Sequence, residues 1–375
     1  MNGTPQHAGT RPGMVFYAPY PIQENGTSGS AIRPRQMLRA FHELGYEVVE
    51  VTGDSAQRLR RTRQLRERLA TGWRPAFAYC ENASIPALLT DPRHLPRRPW
   101  ADREFFRLLR TARIPSGYFY RDCYWVFPRY LEAVGRGVGT LMRALYRSEL
   151  RFLARHLQRI YLPSMKMARY LPQLPEKACR ALPPGAPEVE VALPETPGLT
   201  VLYVGGIGEY YDIGEFLRAV QATDGVRAIV CTREKDWRDN SWRYGPLEPE
   251  KVRIVHASGE ELKALYAQAD ACSLLMGSDV YRDFAAPVKL FEYIGYGRPV
   301  LASEGTHAAE VVASLGAGLS LPNRAADISR ALVRLRDDRA ARNSLAEAAR
   351  RARSDNTWLA RAAYVARDLA GEGEK

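Results

Sequence analysis

The chain has 375 residues, 46% apolar and 26% charged, enough to build about two folded domains and too apolar for a disordered or fibrous protein. Nowhere do 18 apolar residues run together, which excludes a spanning helix, and five scattered cysteines (80, 123, 179, 231, 272) without a C-x-x-C fit neither a disulfide framework nor a zinc cluster. The net charge of +12 is uneven: residues 1–190 hold 30 Lys and Arg against 16 Asp and Glu, and the remainder 24 against 26.

Residues 1–13 are polar and rich in Gly and Pro, a leader without the apolar stretch of a signal peptide. Short apolar runs at 14–20, 47–51, 76–80, 117–120 and 160–162 read as buried parallel strands. A helix over 31–44 carries Ile32, Met37, Leu38, Phe41 and Leu44 on one face and stops at Gly45. Residues 57–69 (QRLRRTRQLRERL) set three leucines among six arginines, a basic amphipathic helix. Such a helix is either solvated arginine surface or a face for anionic lipid or another anion. Aromatics do not interleave with these arginines, so nucleic acid is not an expected partner.

Seven prolines within 171–198, with Pro163 just before, read as a linker and not as an element. A second series follows, with strands at 199–204, 228–231, 252–255, 271–276, 300–302 and 319–321 and helices at 215–220, 260–269, 289–296 and 308–315. Residues 325–369 read as helical throughout, with a break at Asp355-Asn356 before a last helix over 357–369. The fold class is α/β: two doubly wound Rossmann-like domains, 14–190 and 191–355, facing across a cleft, and a segment 356–375 that returns to the first domain. Ligands of such sheets bind at the carboxyl ends of the strands.

The strongest motif is 284–303, FAAPVKLFEYIGYGRPVLAS. Pro287 suits a helix start, Lys289 stands in the first turn, and Glu292 lies three residues on along the same face. An ammonium beside free N–H groups suits a diphosphate, and a carboxylate one turn on can take a ribose diol. On spacing alone the pair is equally an ion pair on an ordinary helix surface.

This segment resembles the donor site of GT-B-fold glycosyltransferases, the large retaining family that uses nucleotide sugars. That family places two glutamates eight positions apart before a small-Gly-Arg/Lys-Pro-Val strand. Glu292 matches the second, which there binds the donor ribose; the first falls on Phe284, with Asp283 one position out of register. Residues 199–216 match the first strand and glycine turn of the family's donor domain, with Gly205, Gly206 and Gly208 open to close approach. The family's arginine and lysine after that turn are replaced by Gly206 and the run Glu209-Tyr210-Tyr211-Asp212, so the cation falls to Lys289 and Arg233. The resemblance implies donor roles for Gly205, Gly206, Tyr210, Arg233, Lys289, Leu290 and Glu292. A dinucleotide fingerprint is incomplete, because Tyr211 stands where a third glycine belongs.

In the first half, residues 25–33 (NGTSGSAIR) sit where GT-B enzymes carry a glycine loop; Gly26, Ser28 and Gly29 are expected to cradle an anion with Arg33 turned towards it. Residues 117–128 (GYFYRDCYWVFP) bring Arg121 and Asp122 to the end of a strand beside Tyr124, Trp125 and Phe127, which suit sugar stacking. Arg121 and Asp122 join Lys289 as catalytic candidates, and the alternative for the pair is a salt bridge buried under a loop. His94, in the proline-rich loop 90–99, is a further acceptor-side candidate, though a lone loop histidine is more often idle. With no D-x-D and no clustered His, Cys and Asp, no metal and no cofactor beyond the nucleotide sugar is expected. The reading is a cytoplasmic glycosyltransferase acting on a glycan or lipid-linked glycan in polysaccharide or cell-envelope biosynthesis. Its basic half faces the inner surface of an anionic membrane. A non-catalytic nucleotide- or sugar-binding protein and a Rossmann-type oxidoreductase are the alternatives.

Overall fold

Strands made of Val, Phe, Tyr, Ala and Cys with almost no charge can be satisfied only where both faces are covered. A computed structural model of the protein describes residues 11–24, 26, 29–195, 197–277 and 279–371 and places these runs at the centres of two parallel sheets. The first sheet comprises β1 (Gly13–Ala18), β2 (Glu47–Thr52), β3 (Pro75–Glu81), β4 (Ser116–Phe119), β5 (Arg159–Leu162) and β6 (Cys179–Ala181), in the order β2-β1-β3-β4-β5-β6. The second comprises β7 (Leu199–Val204), β8 (Val226–Cys231), β9 (Val252–Val255), β10 (Ala271–Leu274), β11 (Val300–Ser303) and β12 (Gly318–Leu321), in the order β12-β11-β10-β7-β8-β9. Central β1 is buried along its whole length, with Phe16 paired to Glu50 of β2 and Tyr79 of β3.

Contacts divide the described chain into two units. One runs to Pro183 and includes the residues from Arg361 onward; the other is Pro184–Ala360. In the first unit, Asp368 of the helix Trp358–Ala370 accepts from Arg159 Nε (3.1 Å) and the Tyr161 hydroxyl (2.8 Å) of β5. No helix among the described residues is long and apolar enough to cross a membrane.

The expected linker differs from the structure. Within 171–198, Cys179–Ala181 forms β6 and pairs in parallel with β5. The prolines flank those three residues without interrupting them, and a three-residue edge strand has too little periodicity to be read from sequence. The long C-terminal helix is likewise three helices, Ala325–Asp337, Arg339–Arg351 and Trp358–Ala370. Asp338, outside helical geometry at ψ 84°, caps the second by accepting from the Ala341 N–H.

The arginine-rich helix Ser55–Ala70 is capped reciprocally by Asp54 and Gln57. It is a free basic face only in part, at the exposed Arg60 and Arg63. Arg58 is fully buried and grips Asp102 through Nε (2.7 Å) and Nη2 (3.0 Å), while the Tyr17 hydroxyl donates to the same carboxylate. Arg61 bonds Thr52, Arg66 pairs with Glu104 and Arg68 with Glu47. The leucine spacing gave the correct helix, but nothing local marks an arginine whose carboxylate lies 44 residues away.

Candidate functional site

The second sheet opens a site at the carboxyl end of β7. Val204 leads into a turn that Gly205 (φ 145°) and Gly208 (φ 141°) can enter because they lack a Cβ. The Gly205 N–H donates to Cys231 O at 2.8 Å, holding the turn against the end of β8.

Opposite stands the helix Val288–Gly295, with Pro287 at its N-cap. The apolar positions Leu290, Phe291, Tyr293 and Ile294 bury against the sheet, and the Val204 N–H donates to the Tyr293 hydroxyl at 2.9 Å. This packing fixes the opposite face. Helical side chains lean towards the N-terminus, and Lys289 accordingly reaches the glycine turn. A Cβ on Gly205 would stand 1.6 Å from its Nζ. The ammonium lies 4.9 Å from the Tyr203 ring centroid and 5.2 Å from that of Tyr211.

Two guanidiniums join it. Arg233, at the N-cap of the helix Glu234–Asn240, lies beside Gly206 and pairs with Asp236 at 2.8 Å. Arg282, from the turn Val280–Asp283, donates to the carbonyls of Gly277 and Tyr210. Neither Lys289 nor Arg282 forms an ion pair among the described residues. Burial pushes the Lys289 ammonium down to about 8, opposed by Glu292 and assisted by Arg233 and Arg282. Burial also lowers Arg282, against the pull of Asp279. Glu292 is raised above the ordinary carboxylate range by burial, with Lys289 opposing. Half-buried cations without an ion pair, around a glycine turn and a helix N-terminus, are an arrangement that suits an anion.

The structure thus gathers Gly205, Gly206, Arg233, Lys289 and Glu292. Tyr210 is exposed and takes part through its carbonyl. Leu290 is a correction: its side chain is in the core and its N–H donates to Pro287 O at 3.1 Å, so neither faces the site. Phe284 is buried and packs on Tyr281, the apolar filling of a position where the family has a carboxylate. Arg282, Tyr203 and Tyr211 were missed. Arg282 arrives from an irregular turn before a proline, where spacing carries no signal.

In the first unit, the carboxyl ends of β3 and β4 hold a different arrangement. Glu81, fully buried, takes Arg33 Nε at 3.2 Å on one oxygen and Arg121 Nη2 at 3.4 Å on the other, and the Tyr79 hydroxyl donates to it at 2.6 Å. Arg33 also lies 3.3 Å over the Phe119 ring. The expectation that Arg33 faces an anion at the glycine loop meets a different arrangement: Arg33 is buried and turned to Glu81, a carboxylate it shares with Arg121. Arg121 reaches the Tyr20 hydroxyl at 2.9 Å, and Asp122 accepts from the Tyr124 N–H at 2.8 Å. Trp125 is no open platform, being buried, stacked on Tyr146 and bonded to the Tyr120 hydroxyl. Gly29 begins the helix Gly29–Glu43, the Gly26 Cβ position is filled by Ala31, and Ser28 lies outside the described residues. His94 is exposed at φ 57°, its Nδ1 3.0 Å from Leu89 O. The missed residue here is Glu81; its signal was a single acid ending an otherwise apolar strand.

Among the described residues no three His, Cys, Asp or Glu side chains are placed to hold a metal ion. Residues 214–367 match the family model described as glycosyl transferase-like. No curated protein sequence matches the chain. Among solved structures, HepE of Anabaena in complex with UDP superposes with a TM-score of 0.62 at 12% identity, over 96% of this chain and 99% of that one. Sucrose-phosphate synthase from Thermosynechococcus elongatus gives 0.65 at 16% identity, over 97% and 100%. WaaG, a glycosyltransferase involved in lipopolysaccharide biosynthesis, gives 0.56 at 15%, over 95% and 100%. Residues 214–367 thus carry the match to a glycosyl transferase-like family, and the chain has the two Rossmann-like domains of the GT-B fold seen in these structures.

Proposed function

We propose that the chain is a glycosyltransferase whose donor is a nucleoside-diphosphate sugar held on the second unit. Lys289, with Arg282 and Arg233, faces the diphosphate, and Glu292 accepts from the ribose hydroxyls. The observation that carries this reading is the Lys289 ammonium resting on Gly205 without a carboxylate partner among the described residues. A binding site whose charge is left uncompensated in the free protein is matched to an anionic ligand. The HepE structures hold UDP and UDP-glucose, which makes a uridine diphosphate sugar the first donor to test.

In the reaction the bond between the anomeric carbon and the diphosphate oxygen breaks, and its electron pair leaves with the phosphate. The three cations stabilise that developing charge without a resident metal or cofactor. The family resemblance favours retention, in which the acceptor hydroxyl attacks from the leaving-group side and gives its proton to the departing phosphate oxygen. The acceptor, a glycan or lipid-linked glycan, falls to the first unit. There Asp122 orients its hydroxyl, and Arg121, fixed by Glu81, positions the strand end that carries Asp122.

Thermal-shift titration with UDP-glucose and related nucleotide sugars tests the donor, since a ligand of the native state raises Tm. Release of the nucleoside diphosphate in the presence of glycan acceptors tests the transfer. Binding without turnover across the donors and acceptors tried favours the non-catalytic alternative. No shift with any nucleotide sugar removes the donor assignment.

A further inference from the structure

Lys289 meets aromatic rings where a buried cation ordinarily meets a carboxylate. Its ammonium lies over Tyr203 and Tyr211, 4.9 and 5.2 Å from the ring centroids, and donates to the Tyr203 hydroxyl at 3.5 Å. Tyr203, in β7, is fully buried, and its hydroxyl donates to Gly206 O at 2.6 Å, which leaves an oxygen lone pair for the ammonium. Tyr211 stands on the turn that follows. Its N–H donates to Gly208 O at 3.0 Å, and the two residues form an isolated antiparallel bridge. On either side the Tyr210 carbonyl accepts from Arg282, and Asp212 accepts from the Gly214 N–H at 2.8 Å. The backbone is thus tied before and after Tyr211, and its ring stays over the ammonium although 48% of the residue is exposed.

The charged groups around Lys289 are Glu292 on its own helix, Arg233 and Asp236 from the start of the helix Glu234–Asn240, and Arg282 from the turn Val280–Asp283. Burial and the two guanidiniums favour loss of the lysine proton. The acids oppose this only in part, since Asp236 is taken by Arg233 at 2.8 Å and burial pushes Glu292 itself above the ordinary carboxylate range. A ring face attracts a cation most strongly where water is excluded, and it carries no charge that an incoming phosphate must displace. A carboxylate in the same place would compete with an anionic ligand.

We infer that Tyr211 is a positioning residue that acts through Lys289: its ring face, with that of Tyr203, keeps the ammonium charged without neutralising it. Tyr211 thus does with a neutral group what a counter-ion would do with a charged one, and the cation stays open to an anion. The ring–ammonium contact stands on the second unit by itself; that the anion is the donor diphosphate rests on the reading proposed above. Tyr211 is also the ring that can be changed without opening the core, because Tyr203 is buried in it.

Competitive acetylation of the full chain with trace acetic anhydride, over about pH 6 to 10, reads the Lys289 titration from its peptide by mass spectrometry. The wild type should titrate at about 8. Tyr211→Phe keeps the ring face and should leave that midpoint in place. Tyr211→Leu keeps the apolar cover, loses the ring face, and should move the midpoint down by about half a pH unit. Calorimetric titration with UDP reads the consequence. Tyr211→Leu should bind about threefold more weakly at about pH 8.5 and equally well at about pH 6.5. An unchanged Tm in each variant shows that the fold is kept. A midpoint that stays or rises in Tyr211→Leu overturns the inference, because the ring then only covers Lys289. So does an equal fall in Tyr211→Phe, which would place the effect in the hydroxyl, or a loss of UDP affinity of the same size at both pH values. Should UDP fail to bind the wild type while Tyr211→Leu still lowers the midpoint, the donor reading falls and the ring–ammonium contact stands.

Discussion

The Lys289 ammonium occupies the space that a side chain at Gly205 would need: a Cβ there would lie 1.6 Å from Nζ and 2.0 Å from Cε. The absence of a side chain on β7's turn thus sets where the cation of the neighbouring helix can rest. Gly205 also has φ 145°, which an L-residue adopts only with strain of about 1–3 kcal/mol. Gly205→Ala is therefore expected to displace Lys289 and lower nucleotide-sugar affinity at least about tenfold, about 1.4 kcal/mol. Calorimetric titration reads the affinity and urea unfolding the strain. Unchanged affinity would show that the ammonium's resting place is immaterial.

Removing Lys289 or Glu292 removes charge or hydrogen bonding at the donor without opening the core, since the buried face of their helix is Leu290, Phe291, Tyr293 and Ile294. Lys289→Ala and Glu292→Ala should each lower turnover at least about tenfold, more than about 1.4 kcal/mol of transition-state stabilisation. Steady-state release of nucleoside diphosphate measures both. Near-wild-type rates in the two variants would falsify the donor site.

Arg282 lies close enough to Lys289 to lower the pKa of its ammonium, beside a glycine turn that carries no lysine or arginine of its own. Its two carbonyl bonds, to Gly277 and Tyr210, hold the guanidinium near Lys289 without neutralising it. Arg282→Ala is expected to raise the donor KM by about tenfold, the scale of one charge-assisted contact. It should also relieve the repulsion on Lys289 and move that ammonium's titration upward. Loss of protein stability without a KM effect would instead make Arg282 a clasp for the Tyr210 segment.

Lys289 titrates at about 8 because burial disfavours its charge. The ammonium form binds a diphosphate, so affinity is expected to be flat below pH 8 and to fall by up to about tenfold per pH unit above it. Lys289→Arg keeps its charge through this range and should abolish the break. Stability runs the other way. Between pH 8 and the ordinary lysine range the unfolded chain holds a proton that the folded chain has lost, so the free protein gains stability as pH rises. A saturating diphosphate ligand should suppress that gain.

The two sheets were legible because buried parallel strands are written as local apolar runs, and the pair Lys289–Glu292 because helical spacing is local. What the sequence concealed is pairing over distance. Arg58 and Asp102, or Glu81 with Arg33 and Arg121, meet only once β1, β3 and β4 lie side by side. A basic run therefore looked like surface when part of it was core, and Arg33 looked available when it was already paired. Arg282 escaped for a related reason: its position depends on a turn stabilised by backbone carbonyls, which no side-chain pattern records.

Glu81 holds two guanidiniums and a tyrosine hydroxyl in a fully buried place, and this gives a prediction separable from the donor chemistry. Glu81→Ala takes away the buried carboxylate that Arg33 and Arg121 share, and removing one member of a buried pair costs about 3–5 kcal/mol. Urea unfolding should show a loss of that size, whereas Arg60→Ala, exposed on the helix Ser55–Ala70, should change stability by less than about 0.5 kcal/mol. Glu81→Gln retains the shape and one acceptor oxygen and should fall between the two. Should Glu81→Gln unfold like the wild type while transfer to acceptor is lost and donor binding kept, Glu81 acts on the acceptor and not on the fold. If stability falls and the remaining folded protein turns over normally, its work is to hold Arg33 and Arg121 at the ends of β3 and β4.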